Sequence, residues 1–517
     1  MVEKELINLS ICKNCRQMVP TKHVERDGKM FLAKDCPRCG KSEFLASTDA
    51  ARYKFKREMC GYKGEAESTC NMRCLECNHG KPPSLVFIDV TNRCNMNCPI
   101  CLANIPAMGF RFNPPIEYFE KIFKKLSQMK PLPKIQLFGG EPTVRDDLID
   151  IIKLAYSYGI PTRVVTNGIR LADEEYCRNL VDTKAQLMFA FDGRDESIYR
   201  RIRKNPKALE LKLKALENVR KYHKSKVTIM CTAGYGVNDQ FMGDLIKYCH
   251  ENRDFVSALD LIPLTAHWGP EKVDAHSSTN EDVERMISEA LPGTKFFPAG
   301  ILYMFQTLKE VFDVRLTFGG AHPNCESVSL LISDGEKYRP FSEYLKIDQD
   351  QAVIEAVKLD KEMGEKLKKS LLAKILGKTG KRIVYGWTIL KTLKRVVNLH
   401  EVFGAGMWSK TLKILLGLFT GKKLKNLIRK HSRCQGILRL MVLPFEEEEC
   451  VESARLMECP AAFAYEHPVT KEIHFMPVCS WPIYKNDILQ ETTRVYGIAG
   501  ESSDKTDLLV KEQSASM

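Results

Sequence analysis

From residue 84 onward, short apolar runs alternate with longer stretches of helical period. The runs 85–90, 135–138, 162–166, 187–191, 227–231 and 258–262 have the length and composition of buried strands. The intervening stretches 116–129, 146–158, 172–181, 208–223 and 240–251 repeat apolar residues every three to four positions. Regular strand–helix alternation predicts parallel strands joined by crossover helices. Six such units are too few for a closed eight-fold barrel. The expected fold is therefore α/β, a partial (β/α)6 TIM-like barrel over residues 84–265. Its chemistry is expected at the C-terminal ends of the strands.

The pattern changes on either side of this barrel. Residues 1–50 read as a small metal ribbon and 51–83 as a short cysteine-bearing segment. Residues 266–345 form an extension, 346–431 a basic helical region, 432–499 a C-terminal α+β region and 500–517 a polar tail expected to be disordered. Between Tyr385 and His431 there are ten Lys or Arg and one acidic residue, Glu401. Trp387, Ile389, Leu390, Leu393, Val396 and Val397 fall on helical spacing there, followed by Leu412, Leu415, Leu416 and Phe419. Apolar faces flanked by lysines suit a membrane surface, a partner or the walls of a hydrocarbon tunnel. A helix that packs on the barrel and shows a solvated basic face gives the same pattern.

Charge and composition narrow the setting. The chain has 517 residues and a net charge of +13, which fits an anionic partner. No apolar run reaches the roughly 18–20 residues needed to span a bilayer, and the N-terminus has no apolar segment of signal type. A cytoplasmic protein is expected, with peripheral contact at the inner membrane face. In a reducing compartment its 19 cysteines point to metal rather than to disulfides.

Eleven of those cysteines precede residue 102, in four groups. Cys12-x2-Cys15 and Cys36-x2-Cys39 are two knuckles that can close a tetrahedral site for zinc or a single iron. Cys70-x3-Cys74-x2-Cys77 and Cys94-x3-Cys98-x2-Cys101 have a spacing that suits three irons of a 4Fe-4S cluster. Only the second of these is followed by a barrel. It is therefore read as the reaction centre, with one iron left free of protein. The first is read as an auxiliary cluster, with Cys60 as its fourth ligand, or alternatively as a second zinc site. Cys177, Cys231 and Cys249 stand singly and are expected to be buried apolar residues.

The expected strand ends carry further polar groups. After the second strand comes Gly139-Gly140-Glu141-Pro142, where the glycines allow close backbone approach and the carboxylate can accept from an ammonium group. Thr166 and Asn167 follow the third strand and suit ribose hydroxyls; Asp192 follows the fourth.

Cys94-x3-Cys98-x2-Cys101 after one strand and Gly-Gly-Glu-Pro after the next resemble the radical S-adenosylmethionine superfamily, over about residues 84–265. The resemblance implies that S-adenosylmethionine chelates the open iron and is cleaved to a 5'-deoxyadenosyl radical, which removes hydrogen from an unactivated C–H bond. It places Gly139, Gly140 and Glu141 at the methionine amino group, and Thr166, Asn167 and Asp192 near the ribose. Ile100 stands where many members carry an aromatic residue beside the adenine.

A narrower resemblance rests on the two knuckles, Cys70-x3-Cys74-x2-Cys77-Asn-His, IDVTNRCNMNCPICLAN and FGGEPTVRDDL. It is to the tetraether and membrane-spanning lipid synthases, some of whose relatives were first read as pterin methylases. Cys39 stands where those relatives are expected to carry histidine. The likeness implies a radical enzyme that joins lipid hydrocarbon tails carbon to carbon, one or two auxiliary 4Fe-4S clusters, a mononuclear Fe or Zn, and an electron donor such as ferredoxin or flavodoxin. It also implies that Cys325, Cys459 and Cys479 hold a further cluster, with Cys434 preferred over Cys450 as fourth ligand. The alternatives are a radical methylase or other modifying enzyme acting on a pterin or peptide, and a non-catalytic iron-sulfur or zinc protein that binds an anionic polymer.

Overall fold

The computed structural model describes residues 7–64, 67–222, 226–265, 275–313, 321–419, 427 and 430–497. Residues 500–517, the Gly319–Gly320 pair and most of 420–429 lie outside them, so the expectation of a disordered tail is not addressed.

Four strands form an antiparallel N-terminal ribbon, β1 (Leu9–Ile11), β2 (Met18–Arg26), β3 (Lys29–Cys36) and β4 (Gly40–Ser47), in the order β1-β2-β3-β4. The two cysteine knuckles are the β1–β2 and β3–β4 turns. A helix, Ala50–Met59, follows.

The barrel strands are β5 (Leu85–Thr91), β6 (Lys134–Gly139), β7 (Thr162–Thr166), β8 (Gln186–Ala190), β9 (Val227–Ala233) and β10 (Val256–Pro263), each parallel to its neighbour. These are the six runs expected from the sequence. Helices Ile116–Ser127, Leu148–Ser157, Glu174–Asp182, Ala208–Tyr222 and Met242–Glu251 pack on one face. Ile122, Leu137, Ile152, Leu180, Leu216 and Ile229 are among the buried residues of the core they share. Cys177, Cys231 and Cys249 lie in the same core, as expected.

The C-terminal third joins the central sheet directly. On one side β14 (Gly436–Val442) runs parallel to β10, and β12 (Ser327–Ser333) runs antiparallel to β14. The short strands β11 (Phe297–Pro298) and β13 (Tyr338–Pro340) pair with β12. On the other side β15 (Ala461–Glu466) runs parallel to β5, and β16 (Ile473–Pro477) turns back against it. The full order is β11-β12-β14-β10-β9-β8-β7-β6-β5-β15-β16. An open barrel leaves two strand edges with unpaired N–H and C=O groups. Residues 432–499 supply a partner to each edge.

The ribbon docks on the segment that precedes β15. Asn8 donates to Glu452 (2.6 Å) and the Ser10 hydroxyl donates to the Val451 carbonyl (2.6 Å). The helix Ala50–Met59 is tied down by its buried Lys56, which sits 2.7 Å from Glu281 and 2.5 Å from Glu284. The basic region folds into helices that include Gln349–Lys369, Gly377–Val396 and Met407–Phe419. Among the described residues, no helix is long and apolar enough to cross a membrane.

Candidate active site

Strand β5 ends at Thr91, and the chain then runs irregularly through Cys94, Cys98 and Cys101. Asn92 pins this loop at its root: its side-chain carbonyl accepts from the Phe112 amide (2.7 Å) and its amide donates to the Phe110 carbonyl (2.6 Å). The second clamp is the loop after β6. The Gly140 amide donates to the Thr91 carbonyl (2.7 Å) and the Glu141 amide to the Arg93 carbonyl (2.8 Å). A Cβ on Gly139 would lie 2.2 Å from the Thr91 oxygen, and one on Gly140 would lie 2.1 Å from the Arg93 oxygen. Glycine is required here because the two loops touch backbone to backbone. This differs from the expectation that the glycines make room for a ligand alone.

Glu141 is buried and holds a third loop. Its carboxylate accepts from the Thr143 hydroxyl (2.7 Å), the Thr166 hydroxyl (2.7 Å) and the Asn167 amide (2.6 Å). Burial pushes its pKa up, and these donors pull it back only in part. The side chain thus joins the ends of β6 and β7. Asn167 turns over the cysteine loop, donating to the Asn95 side chain at 2.7 Å.

These elements enclose one cavity of about 160 Å³, lined by Cys94, Cys98, Cys101, Gly139, Gly140, Glu141, Thr166 and Asn167. Every site residue expected in the barrel lies in its wall except Asp192. The Asp192 carboxylate instead forms a two-pronged pair with Arg203 (2.8 and 2.9 Å) and accepts from the Thr232 amide (3.0 Å). Burial opposes its charge, but the guanidinium keeps it below the usual carboxylate range. Asp192 thus orients Arg203, and it is Arg203 that lines the cavity. Arg203 and the buried Lys212 are the cationic groups sequence reading missed. They sit on a turn and a helix after β8, where nothing in the local pattern separates them from surface residues. Burial pulls the Lys212 ammonium down to about 8.

Three thiols line this cavity and no fourth cysteine does, among the described residues. Burial pushes Cys94 and Cys98 upward, with the Arg203 charge drawing Cys98 partly back. Such thiols give up their protons when a metal supplies the balancing positive charge. The donor set fits a cluster with one iron free of protein.

A second, larger cavity of about 820 Å³ is lined by Cys60, Cys70, Cys74 and Cys77 together. Cys60 ends the helix Ala50–Met59 and lines the same cavity as the three-cysteine stretch. In the ribbon, the sulfurs of Cys12, Cys15, Cys36 and Cys39 all lie within 4.8 Å of one another, close enough to share one ion. The Cys15 backbone N–H lowers the Cys12 thiol to about 6, whereas hydrogen bonding to the Cys15 sulfur raises Cys39 to about 12. One negative charge is welcome there and further charge awaits a cation.

Cys325, Cys459 and Cys479 lie within electrostatic reach of one another, each with its thiol pushed up by burial. Arg455 donates to Cys325 (3.4 Å) and pairs with Glu446 (2.6 Å). Cys434 is not with them. Cys325 precedes β12 and Cys434 precedes β14, and these strands are antiparallel, with Ser327 opposite Val442 and Ser333 opposite Gly436. The two cysteines therefore lie at opposite ends of a seven-residue pairing, about 20 Å apart at ~3.3 Å per residue. The expected fourth ligand Cys434 is corrected on that ground. Cys450 lies near Glu446 and Arg455, the pair that also flanks Cys325.

Comparison with known proteins agrees with this geometry. Residues 88–249 match the Radical SAM superfamily, and residues 8–48 match the HMPTM N-terminal zinc ribbon domain. Residues 88–249 are thus similar to the radical SAM superfamily, an enzyme class whose cofactors are a 4Fe-4S cluster and S-adenosylmethionine. Over 96% of its length it is 28% identical to 99% of the 7,8-dihydro-6-hydroxymethylpterin dimethyltransferase of Methanocaldococcus jannaschii. Over 35% of its length it is 27% identical to 58% of a probable GTP 3',8-cyclase of Thermococcus kodakarensis. Among solved structures, Streptococcus suis SuiB bound to S-adenosylmethionine superposes with a TM-score of 0.33 and 16% identity, over 40% of this chain and 47% of that one.

Proposed function

We propose that the chain is a radical S-adenosylmethionine enzyme that acts on lipid hydrocarbon tails and joins them carbon to carbon at a membrane surface. The observation that carries the lipid reading is the outer face of residues 371–416. Leu371 (72% exposed), Ile375 (70%), Trp387 (62%), Leu412 (56%) and Trp408 (49%) stand in solvent, with Lys374 and Lys413 exposed among them. Trp408, Leu412 and Leu416 repeat every four residues and form one stripe, while Thr411 and Ile414 face inward. Tryptophan and leucine on a basic helical surface suit the boundary between headgroups and acyl chains.

Within the cavity, the bound cluster and S-adenosylmethionine supply a radical able to take a hydrogen atom from a carbon that offers no acidic proton. The chain's own groups do the rest. The Asn92 and Gly139-Gly140 contacts fix the cysteine loop, Glu141 fixes the β6 and β7 ends against it, and Arg203 places positive charge beside Cys98. Ile100, Ile262 and Leu264 give the wall an apolar side that excludes water. Cys60, Cys70, Cys74 and Cys77 are the ligands proposed for one auxiliary cluster, and Cys325, Cys459 and Cys479 for another. A ferredoxin or flavodoxin is the proposed electron source, and a cytoplasmic location with peripheral membrane contact follows from the same reading.

Pterin methylation is the second reading, favoured by the name of the Methanocaldococcus jannaschii relative. The separating experiment is lipid extraction from cells expressing the chain, followed by mass spectrometry for paired chains. Lipids whose two tails are covalently joined support the first reading. Their absence, with a methylated pterin formed by the reconstituted enzyme, replaces it with the second.

A further inference from the structure

A third cavity, of about 180 Å³, lies between the ribbon, the start of the helix Asn280–Ala290 and the loop after β14. Pro263 and Thr265 line both this space and the cysteine-lined cavity, so the two share a wall at the C-terminal end of β10. Ser278, Asn280 and Asn324 also line it. Each carries a buried side-chain oxygen with no hydrogen-bond partner among the described residues. Unpartnered buried oxygens are costly, and a native site usually has a reason for them.

The orientation of both amides is fixed. The Asn280 nitrogen donates to the Asn324 carbonyl (3.0 Å) and to the Cys325 carbonyl (2.5 Å), and the Asn324 nitrogen donates to the Tyr53 carbonyl (2.9 Å). Exchanging oxygen for nitrogen would set carbonyl against carbonyl, so the free atoms are acceptors. Three of the carboxylates around the same space have cations, and the fourth, Glu447, accepts from the Ser277 hydroxyl at 2.7 Å. Glu281 is 2.7 Å from Lys56, Glu446 is 2.6 Å from Arg455, and Glu449 is 2.8 Å from Lys13. On Ser278, Asn280 and Asn324 the unsatisfied atoms are neutral: two amide oxygens that accept and one hydroxyl that can do either. A phosphate would bring more acceptors beside these carboxylates.

We propose that this cavity binds the uncharged, hydroxyl- or amino-bearing end of the substrate, while the carbon to be attacked lies in the adjoining cysteine-lined cavity. The inference rests on the reading of that neighbouring cavity as the reaction centre. It holds for a glycerol-like lipid head or for the amino-pyrimidinone edge of a pterin, which offer the same donors.

The test is anaerobic calorimetry on the full-length reconstituted enzyme and its Ser278→Ala variant. The probes are 1-O-octylglycerol, its phosphate ester and 7,8-dihydro-6-hydroxymethylpterin. One neutral probe is expected to bind the wild type at least about tenfold more tightly than the phosphate ester. Ser278→Ala is expected to weaken that probe by about five- to tenfold. S-adenosylmethionine affinity should stay the same and Tm should not fall, because the hydroxyl lost has no partner among the described residues. Serine-dependent binding of the pterin rather than the alkylglycerol keeps the cavity assignment and removes the lipid reading. The assignment is overturned if the phosphate ester binds as tightly as the neutral probes, if neither neutral probe binds, or if Ser278→Ala binds them like the wild type.

Discussion

The stretches 70–77 and 94–101 carry cysteines at identical spacing in opposite surroundings. The second hangs from the end of a parallel strand and is held by the Gly-Gly-Glu loop of the next strand. Its cavity has three cysteines, together with Arg203 and Lys212. The first lies in a seam where the helix Ala50–Met59 ends, and its cavity contains a fourth cysteine, Cys60. Spacing alone sets how three sulfurs can grip a cluster. Whether a fourth sulfur arrives from elsewhere in the fold decides whether an iron stays open for a small molecule.

The largest effect is expected at the support of the first stretch. Lys56→Met leaves Glu281 and Glu284 buried without their shared cation, at a cost of about 3–5 kcal/mol in denaturant unfolding. Burial pushes Glu284 up, and Lys56 and Arg52 more than reverse it, so its pKa lies below the ordinary 4.5. The stability Glu284 contributes is therefore complete above pH 4.5 and is lost as pH falls through the folded value. The variant should lose that acid-side slope, which unfolding curves measured below pH 5 would reveal.

Gly140→Ala acts on the other stretch alone. The added carbon would lie 2.1 Å from the Arg93 oxygen, so the cysteine loop must move. A displacement of about 1 Å at a reacting centre costs about 10²-fold in rate. 5'-Deoxyadenosine formation should fall by that factor while the iron bound at 60–77 stays. Loss of iron from both sites would mean the two stretches are not independently supported.

Trp481→Phe should touch both stretches. The indole donates to the buried Asp89 of β5 at 2.8 Å, and on the same helix, Trp481–Val495, Tyr484 donates to the Met72 carbonyl at 3.5 Å. Leaving Asp89 without that donor costs about 1–3 kcal/mol, readable as a lowered Tm. The smallest change in stability is expected from Cys60→Ser. Its signature is spectroscopic: the auxiliary cluster should gain an exchangeable site, so that electron paramagnetic resonance finds two clusters, not one, responding to added small ligands.

Much of this was legible in the chain. The six barrel strands appear as apolar runs because both faces of a parallel sheet are buried. The cysteine spacings and the Gly-Gly-Glu loop are local, and both are found at the ends of β5 and β6, though the glycines serve contact between the two loops. What was not legible depends on contacts between distant residues. Arg203 enters the cavity because Asp192 turns it there, and neither residue announces that in sequence. Strands β14 and β15 are short apolar runs far from the barrel, and only the need to cover β10 and β5 places them. Cys434 looks the better placed of the two along the chain, and the antiparallel register of β12 and β14 sets it at the far end from Cys325.

The most direct test replaces one cysteine triplet at a time. The Cys94, Cys98 and Cys101 triple alanine variant and the Cys70, Cys74 and Cys77 triple alanine variant are each reconstituted with iron and sulfide without oxygen. Each is then given S-adenosylmethionine and a reductant, and 5'-deoxyadenosine is measured. The first variant should form none and the second should still form it. Cleavage that survives loss of Cys94, Cys98 and Cys101 but disappears with Cys70, Cys74 and Cys77 would contradict the assignment of the reaction centre.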